Sequence, residues 1–143
     1  MAADRTAHVT WSGSLMEGSG TITSVESGAF GPLDVSWAAR TEDSEGLTSP
    51  EELIAAAHAA CFSMALSHGL AEAGSPPEKL ETSATLTFVP GTGITRSALR
   101  VRGSVPGMDE AAFVAAAEDA RKNCPVSKAL AAVPEITVDA ALV

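Results

Sequence analysis

The chain has 143 residues, 45% of them apolar, enough to bury a real core and short enough that a single domain over residues 1–143 is the expectation. Its 18 acidic residues outnumber 9 basic ones, giving a formal charge of -9. The basic residues are scattered rather than gathered into a stripe, so nucleic acid and anionic membrane surfaces are poor partners. Cys61 and Cys124 are the 2 cysteines; so sparse a pair is not a secreted disulfide framework, and in a reducing cytosol it is more often catalytic or inert than structural.

The stretch from Met1 to Ser12 carries no basic region followed by an apolar one, so it does not read as a secretory signal, and a cytoplasmic protein is expected. Ala7, Val9 and Trp11 then alternate with His8 and Thr10, and Leu33, Val35 and Trp37 alternate with Asp34 and Ser36. Both segments predict half-buried strands, with a less regular strand at 20–25 between them and Gly18, Gly28 and Gly31 marking turns.

After the acidic loop 41–46, Ser49-Pro50-Glu51-Glu52 predicts a helix start, with Ser49 as N-cap and Glu52 closing a capping box. The helix should run to about Ala73, where Gly74 and Pro76-Pro77 stop it. Between Leu53 and Leu66 only His58 and Ser63 are polar. That run is too short to cross a bilayer, and a helix apolar all round must be covered on all sides. It is expected as a long, central, buried helix. Alanines at 55–57 and 59–60 leave room for another backbone to approach closely.

Residues 82–89 alternate again, Val89 to Gly93 supplies a turn, and 94–102 can return as the antiparallel partner. Asp109 predicts the N-cap of an amphipathic helix running to about Lys122. Cys124-Pro125 opens a short helical piece ending near Ala132, and Ile136, Val138, Ala140 and Leu142 form a last alternating strand. The order of strands, helix, hairpin, helices and strand predicts an α+β fold with antiparallel sheet, not a doubly wound one.

The chemistry centres on the cysteines. Taken alone, Cys61 is a small hydrophobe on an apolar helix. Cys124, followed by proline and a helical run, is placed like an N-cap, where free N–H groups favour a thiolate, although a simple turn residue would look the same. His58 lies three residues before Cys61, on nearly the same helix face. A Cys-His hydrolase dyad is conceivable there, but no oxyanion or orienting motif accompanies it, and a partly buried structural histidine is commoner. His8 and His68 are too dispersed to form a zinc site with the cysteines.

Residues 48–54, Thr-Ser-Pro-Glu-Glu-Leu-Ile, followed by Ala57-His58-Ala59-Ala60-Cys61-Phe62-Ser63-Met64-Ala65-Leu66, are very similar to the peroxidatic-cysteine helix of the OsmC/Ohr family. Asn123-Cys124-Pro125-Val126-Ser127-Lys128 resembles that family's second-cysteine motif. The residues at 58–63 are closer to the OsmC branch than to the Ohr branch, and the order of elements agrees with the family over essentially the whole chain.

The resemblance implies a thiol-dependent hydroperoxide reductase, working without metal, haem or other cofactor on organic hydroperoxides and more weakly on hydrogen peroxide. Cys61 would be the peroxidatic thiol and Cys124 the resolving one, with an external dithiol, often a lipoyl group, as reductant. Because burial raises a thiol pKa, Cys61 needs a cation to ionise at neutral pH. Arg40, at the end of the strand containing Trp37, matches the arginine of OsmC-type members, and Glu51 matches the glutamate that holds it. Their plain alternatives are a solvated surface charge and a first-turn helix carboxylate; Arg5, Arg96, Arg100, Arg102 and Arg121 are expected as surface charges.

Glu51 and Cys61 are ten residues apart, about 15 Å of rise on a straight helix. Either the helix breaks near its start or the glutamate comes from a second subunit, and an intertwined homodimer is the expectation. The rival to an enzyme is a non-enzymatic small-molecule-binding or storage protein of the same fold.

Overall fold

The structure is a computed structural model that describes residues 1–143. It separates into two compact units, Met1–Pro50 and Glu51–Val143.

In the N-terminal unit, β1 (Ala7–Ser12), β2 (Ser19–Val25) and β3 (Leu33–Val35) form an antiparallel sheet in the order β1-β2-β3. The expected strands are all present. Trp11 lies opposite Gly20, and a side chain on Gly20 would meet the Trp11 ring at 2.6 Å. Glycine is therefore what lets the ring lie across β2. Ile22 is buried, but β1 is exposed along its whole length rather than half-buried. Its alternating pattern supplies an apolar face that nothing in the single chain covers.

The third strand is shorter than its pattern predicts, which corrects the expected setting of Arg40. β3 stops at Val35, and Trp37–Thr41 form a short helix, α1. The physical reason is local: the Ser36 hydroxyl accepts the Ala39 N–H at 3.1 Å and caps a helical turn. Arg40 thus sits on α1, its guanidinium 5.8 Å from the centroid of the Trp37 ring, within cation–π range.

The C-terminal unit contains α2 (Pro50–Glu72), β4 (Lys79–Val89), β5 (Gly93–Ser104), α3 (Glu110–Asn123), α4 (Pro125–Ala129) and β6 (Glu135–Leu142). Helix α2 begins at the predicted proline and ends where Gly74 takes a φ of +84°. There the Ser75 N–H reaches back to the Leu70 carbonyl at 2.9 Å, closing the helix in a Schellman turn. The hairpin β4-β5 forms as expected and is longer than its pattern, pairing Lys79 with Ser104 at its open end.

The expectation of antiparallel sheet is corrected at the third strand: β6 runs parallel to β5. The chain leaves β5, returns along the sheet through α3 and α4, and enters β6 in the same direction, the crossover that a parallel pair requires. Asp109 caps α3 as expected, accepting the Ala112 N–H at 2.8 Å, and α4 ends at Ala129, a few residues short of the predicted stop.

The core of this unit lies where α2 and α3 meet the inner face of β5. Ser97, Leu99, Val101 and Gly103 point inward at alternate positions. Against them pack Phe62, Leu66 and Leu70 of α2 and Phe113, Ala117 and Ala120 of α3. Gly103 has no room for a side chain, since one would meet the Phe113 ring at 2.6 Å. On the outer face, Arg96 pairs with Glu135, and Arg100 and Arg102 pair with Asp139 across the β5-β6 ladder. Such exposed pairs contribute at most ~1 kcal/mol each.

Helix α2 is not covered on all sides within the chain. His58, Phe62, Leu66 and Leu70 form its buried stripe, while Ala56, Ala60 and Met64 form an exposed one, Met64 at 73%. At 23 residues α2 is also long and apolar enough, by length and composition, to cross a membrane, which corrects the inference drawn from the run at 53–66 alone. Its buried stripe is nevertheless part of the core that packs on β5 and α3.

Candidate active site

Two segments of the C-terminal unit place the cysteines together. Cys61 sits one helical turn after His58 on α2, partly exposed beside the core residue Phe62. Cys124 is the junction between α3 and α4: its N–H bonds the Ala120 carbonyl at 2.8 Å to end one helix, and its own carbonyl accepts the Lys128 N–H at 3.1 Å to begin the next. Pro125 follows as the first residue of α4, a position where its missing N–H costs nothing. Cys124 is fully buried, and its thiol and that of Cys61 are close enough to shift each other's pKa. Both thiols are free.

The surroundings push the two thiols in opposite directions. For Cys61, burial raises the pKa, the hydrogen bond and charge of Cys124 act the same way, and only the Val126 N–H opposes them. For Cys124 burial again acts upward. Against it stand the Ser127 N–H, the Cys61 thiol, the Val126 N–H and the Ser127 hydroxyl, which together leave this thiol below its ordinary value. The sulfur makes no conventional capping bond of the kind serine makes, but the N–H groups at the start of α4 favour its ionised form, as its position in the sequence suggested.

His58 is completely buried, with Nδ1 2.7 Å from the Ser97 hydroxyl and Nε2 2.8 Å from the Ser127 hydroxyl. Both ring nitrogens are engaged by serines, so a Cys-His dyad with Cys61 is not formed, and burial holds the imidazole below its ordinary pKa. Ser97 and Ser127 were not singled out from sequence. The available signal was His58 itself, because a buried imidazole needs a partner at each nitrogen.

Glu51 is buried in the first turn of α2, only 7% exposed. The helix continues unbroken from Pro50 to Glu72, so Glu51 lies about 15 Å of axial rise from Cys61. The fold brings Cys61 and Cys124 together and does not bring Glu51 to them. Arg40 belongs to the N-terminal unit.

A family model described as OsmC-like protein matches residues 42–139. The peroxiredoxin OsmC of Escherichia coli (strain K12) is 44% identical over 132 residues, covering 90% of each chain. Among solved structures, the organic hydroperoxide resistance protein OhrB of Bacillus subtilis is 28% identical, with a TM-score of 0.65 over 96% of this chain and 98% of that one. An OsmC-like protein from Mycoplasma pneumoniae shares the fold at 19% identity, with a TM-score of 0.69 over 99% of each chain.

Proposed function

The chain belongs to the OsmC family, and from that premise we propose that it is a cysteine-based peroxidase that reduces organic hydroperoxides, and hydrogen peroxide more slowly. The observation that carries this reading is the juxtaposition of Cys61 and Cys124, two residues far apart in sequence whose thiols are close enough to shift each other's pKa, as a pair that closes a disulfide must be.

In this reading the thiolate of Cys61 attacks the terminal oxygen of the hydroperoxide. The O–O bond breaks, Cys61 becomes a sulfenic acid, and the departing alkoxide takes a proton from solvent and leaves as alcohol. Cys124 then attacks the Cys61 sulfur, the S–O bond breaks, and water departs as the disulfide forms. An external dithiol, of lipoyl type, reduces the disulfide and restores both thiols. Cys61 takes the first role because it is the partly exposed sulfur, whereas Cys124 is buried behind it.

The raised pKa of Cys61 demands a cation, and Arg40 held by Glu51 fills that role. Because α2 is continuous, the glutamate acts from a second copy of the chain in an intertwined homodimer. The exposed Ala56, Ala60 and Met64 stripe of α2 and the uncovered strand β1 suit such a partner. The whole chain, residues 1–143, works as one domain in the cytoplasm, apart from nucleic acid and membrane.

The test is peroxide consumption with a dithiol supplied, comparing cumene hydroperoxide with hydrogen peroxide. Faster turnover of the organic substrate supports the reading; no consumption of either overturns it. Co-expressed Glu51→Ala and Cys61→Ser chains should recover activity in mixed dimers. Confirmed exchange without recovery would place the glutamate in its own subunit's site.

A further inference from the structure

The buried residue that the peroxidase reading leaves unused is His58. It bridges Ser97 on β5 and Ser127 on α4 at 2.7 and 2.8 Å, and Ser127 lies in the first turn of α4, the helix that Cys124 begins, where its hydroxyl helps to hold the Cys124 pKa down. The polar side chains Ser97, His58 and Ser127 therefore lead up to the Cys124–Cys61 pair through an otherwise apolar core. Ser97 occupies an inward position on β5, in the same row as Leu99 and Val101, where an apolar residue would pack without needing any partner.

The direction of the hydrogen bonds here follows from the tautomer of His58. A neutral imidazole donates from one nitrogen and accepts at the other. If the Ser127 hydroxyl gives its proton to the sulfur, its oxygen must accept from Nε2–H, and Nδ1 must then accept from the Ser97 hydroxyl. Each of the three polar hydrogens then has one acceptor. In the opposite tautomer Nδ1–H donates to Ser97, and the Ser127 hydroxyl is drawn to Nε2 and away from the sulfur.

Resting on the peroxidase reading, we propose that Ser127 is a catalytic residue of the disulfide-closing step, donating a hydrogen bond to the Cys124 sulfur, and that His58 is the positioning residue that aims it. The hydroxyl stabilises Cys124 as the thiolate that attacks the Cys61 sulfenic acid. The new S–S bond forms as the S–O bond breaks; the departing hydroxide takes a proton from solvent and leaves as water. The peroxide-cleaving step at Cys61 does not use the Ser97, His58 and Ser127 side chains.

Two substitutions at one position separate aiming from mere filling of the core. In His58→Gln the amide nitrogen stands close to Nε2 and can still donate to Ser127, while the Ser97 contact is lost. In His58→Asn the shorter side chain reaches toward Ser97, while the Ser127 contact is lost. Each sacrifices one buried hydrogen bond, so a purely structural role would affect both alike. Ser127→Ala and Ser97→Ala repeat the contrast with smaller changes, should the histidine variants not fold.

Each reduced protein is mixed rapidly with one equivalent of cumene hydroperoxide, and the lifetime of the Cys61 sulfenic acid is read by acid quench and dimedone capture. His58→Asn and Ser127→Ala should prolong that lifetime about tenfold, the scale of one charge-assisted hydrogen bond, with His58→Gln and Ser97→Ala within about twofold of the parent. Equal slowing in His58→Asn and His58→Gln, or an unchanged lifetime in Ser127→Ala, overturns the proposal. Failure of the parent protein itself to form any sulfenic acid overturns the peroxidase reading instead.

Discussion

Cys61 and Cys124 touch, yet they occupy different kinds of surroundings. Cys61 stands on the middle of a long helix, where the backbone N–H groups are already bonded and burial is opposed only by the Val126 N–H. Cys124 stands at a helix start, where N–H groups and a hydroxyl converge on the sulfur and outweigh a deeper burial. A mid-helix thiol is easy to expose and hard to ionise; a junction thiol is easy to ionise and hard to reach. That division suits the proposed roles, a first thiol that meets substrate and a second that waits buried and activated.

The largest test of this asymmetry is to remove each sulfur in turn. Cys61→Ser should reduce peroxide consumption to the uncatalysed background. Cys124→Ser should keep one turnover and leave a sulfenic acid that dimedone captures. Equal loss of the first turnover in both would remove the distinction.

The asymmetry also depends on α2 being held against β5. Phe62→Ala, which empties a fully buried ring site beside Cys61, should cost about 3–5 kcal/mol, read as a lowered urea midpoint, and should weaken the contact between the sulfurs. A loss below ~1 kcal/mol would mean that this site collapses without a cavity.

A smaller effect is expected at Arg40, the cation proposed for Cys61. Arg40→Met should slow alkylation of Cys61 at neutral pH by about tenfold, since loss of a neighbouring positive charge raises a thiol pKa by ~1 unit or more. An unchanged alkylation profile would assign the activation to another group.

The smallest effect concerns acid. Burial holds His58 below its usual value of 6.5, so as pH falls through that value the unfolded chain takes up a proton that the folded chain refuses. Stability attributable to this residue should therefore be complete above 6.5 and decline below it. The urea midpoint measured at successively lower pH should fall less steeply in His58→Gln than in the parent; parallel curves would contradict the sign.

How much of this was legible in the sequence varied with the kind of signal. Helix α2 could be placed nearly to the residue because Pro50 and Gly74 mark its ends chemically, and α3 because Asp109 caps it. Strand β3 stops short of its alternating pattern, since Trp37 continues the alternation while Ser36 caps a helical turn. The direction of β6 was not legible, because alternation fixes which face a strand buries and not which way it runs. The pairing of Cys61 with Cys124 came from motif resemblance. The serines around His58 could not be foreseen, since Ser97 and Ser127 approach the ring only through the packing of β5 and α4 against α2. A half-covered α2 is likewise a property of the folded chain: its uniform apolarity said that it needed covering, not by what.

The measurement that bears most directly on the paired-thiol site is a count of free thiols per chain before and after one equivalent of cumene hydroperoxide, with the oxidised protein then mapped by peptide mass under non-reducing conditions. Loss of both thiols, with the peptides containing Cys61 and Cys124 joined to each other, is the predicted result. An unchanged thiol count would contradict it and favour a protein of this fold that binds small molecules without redox chemistry.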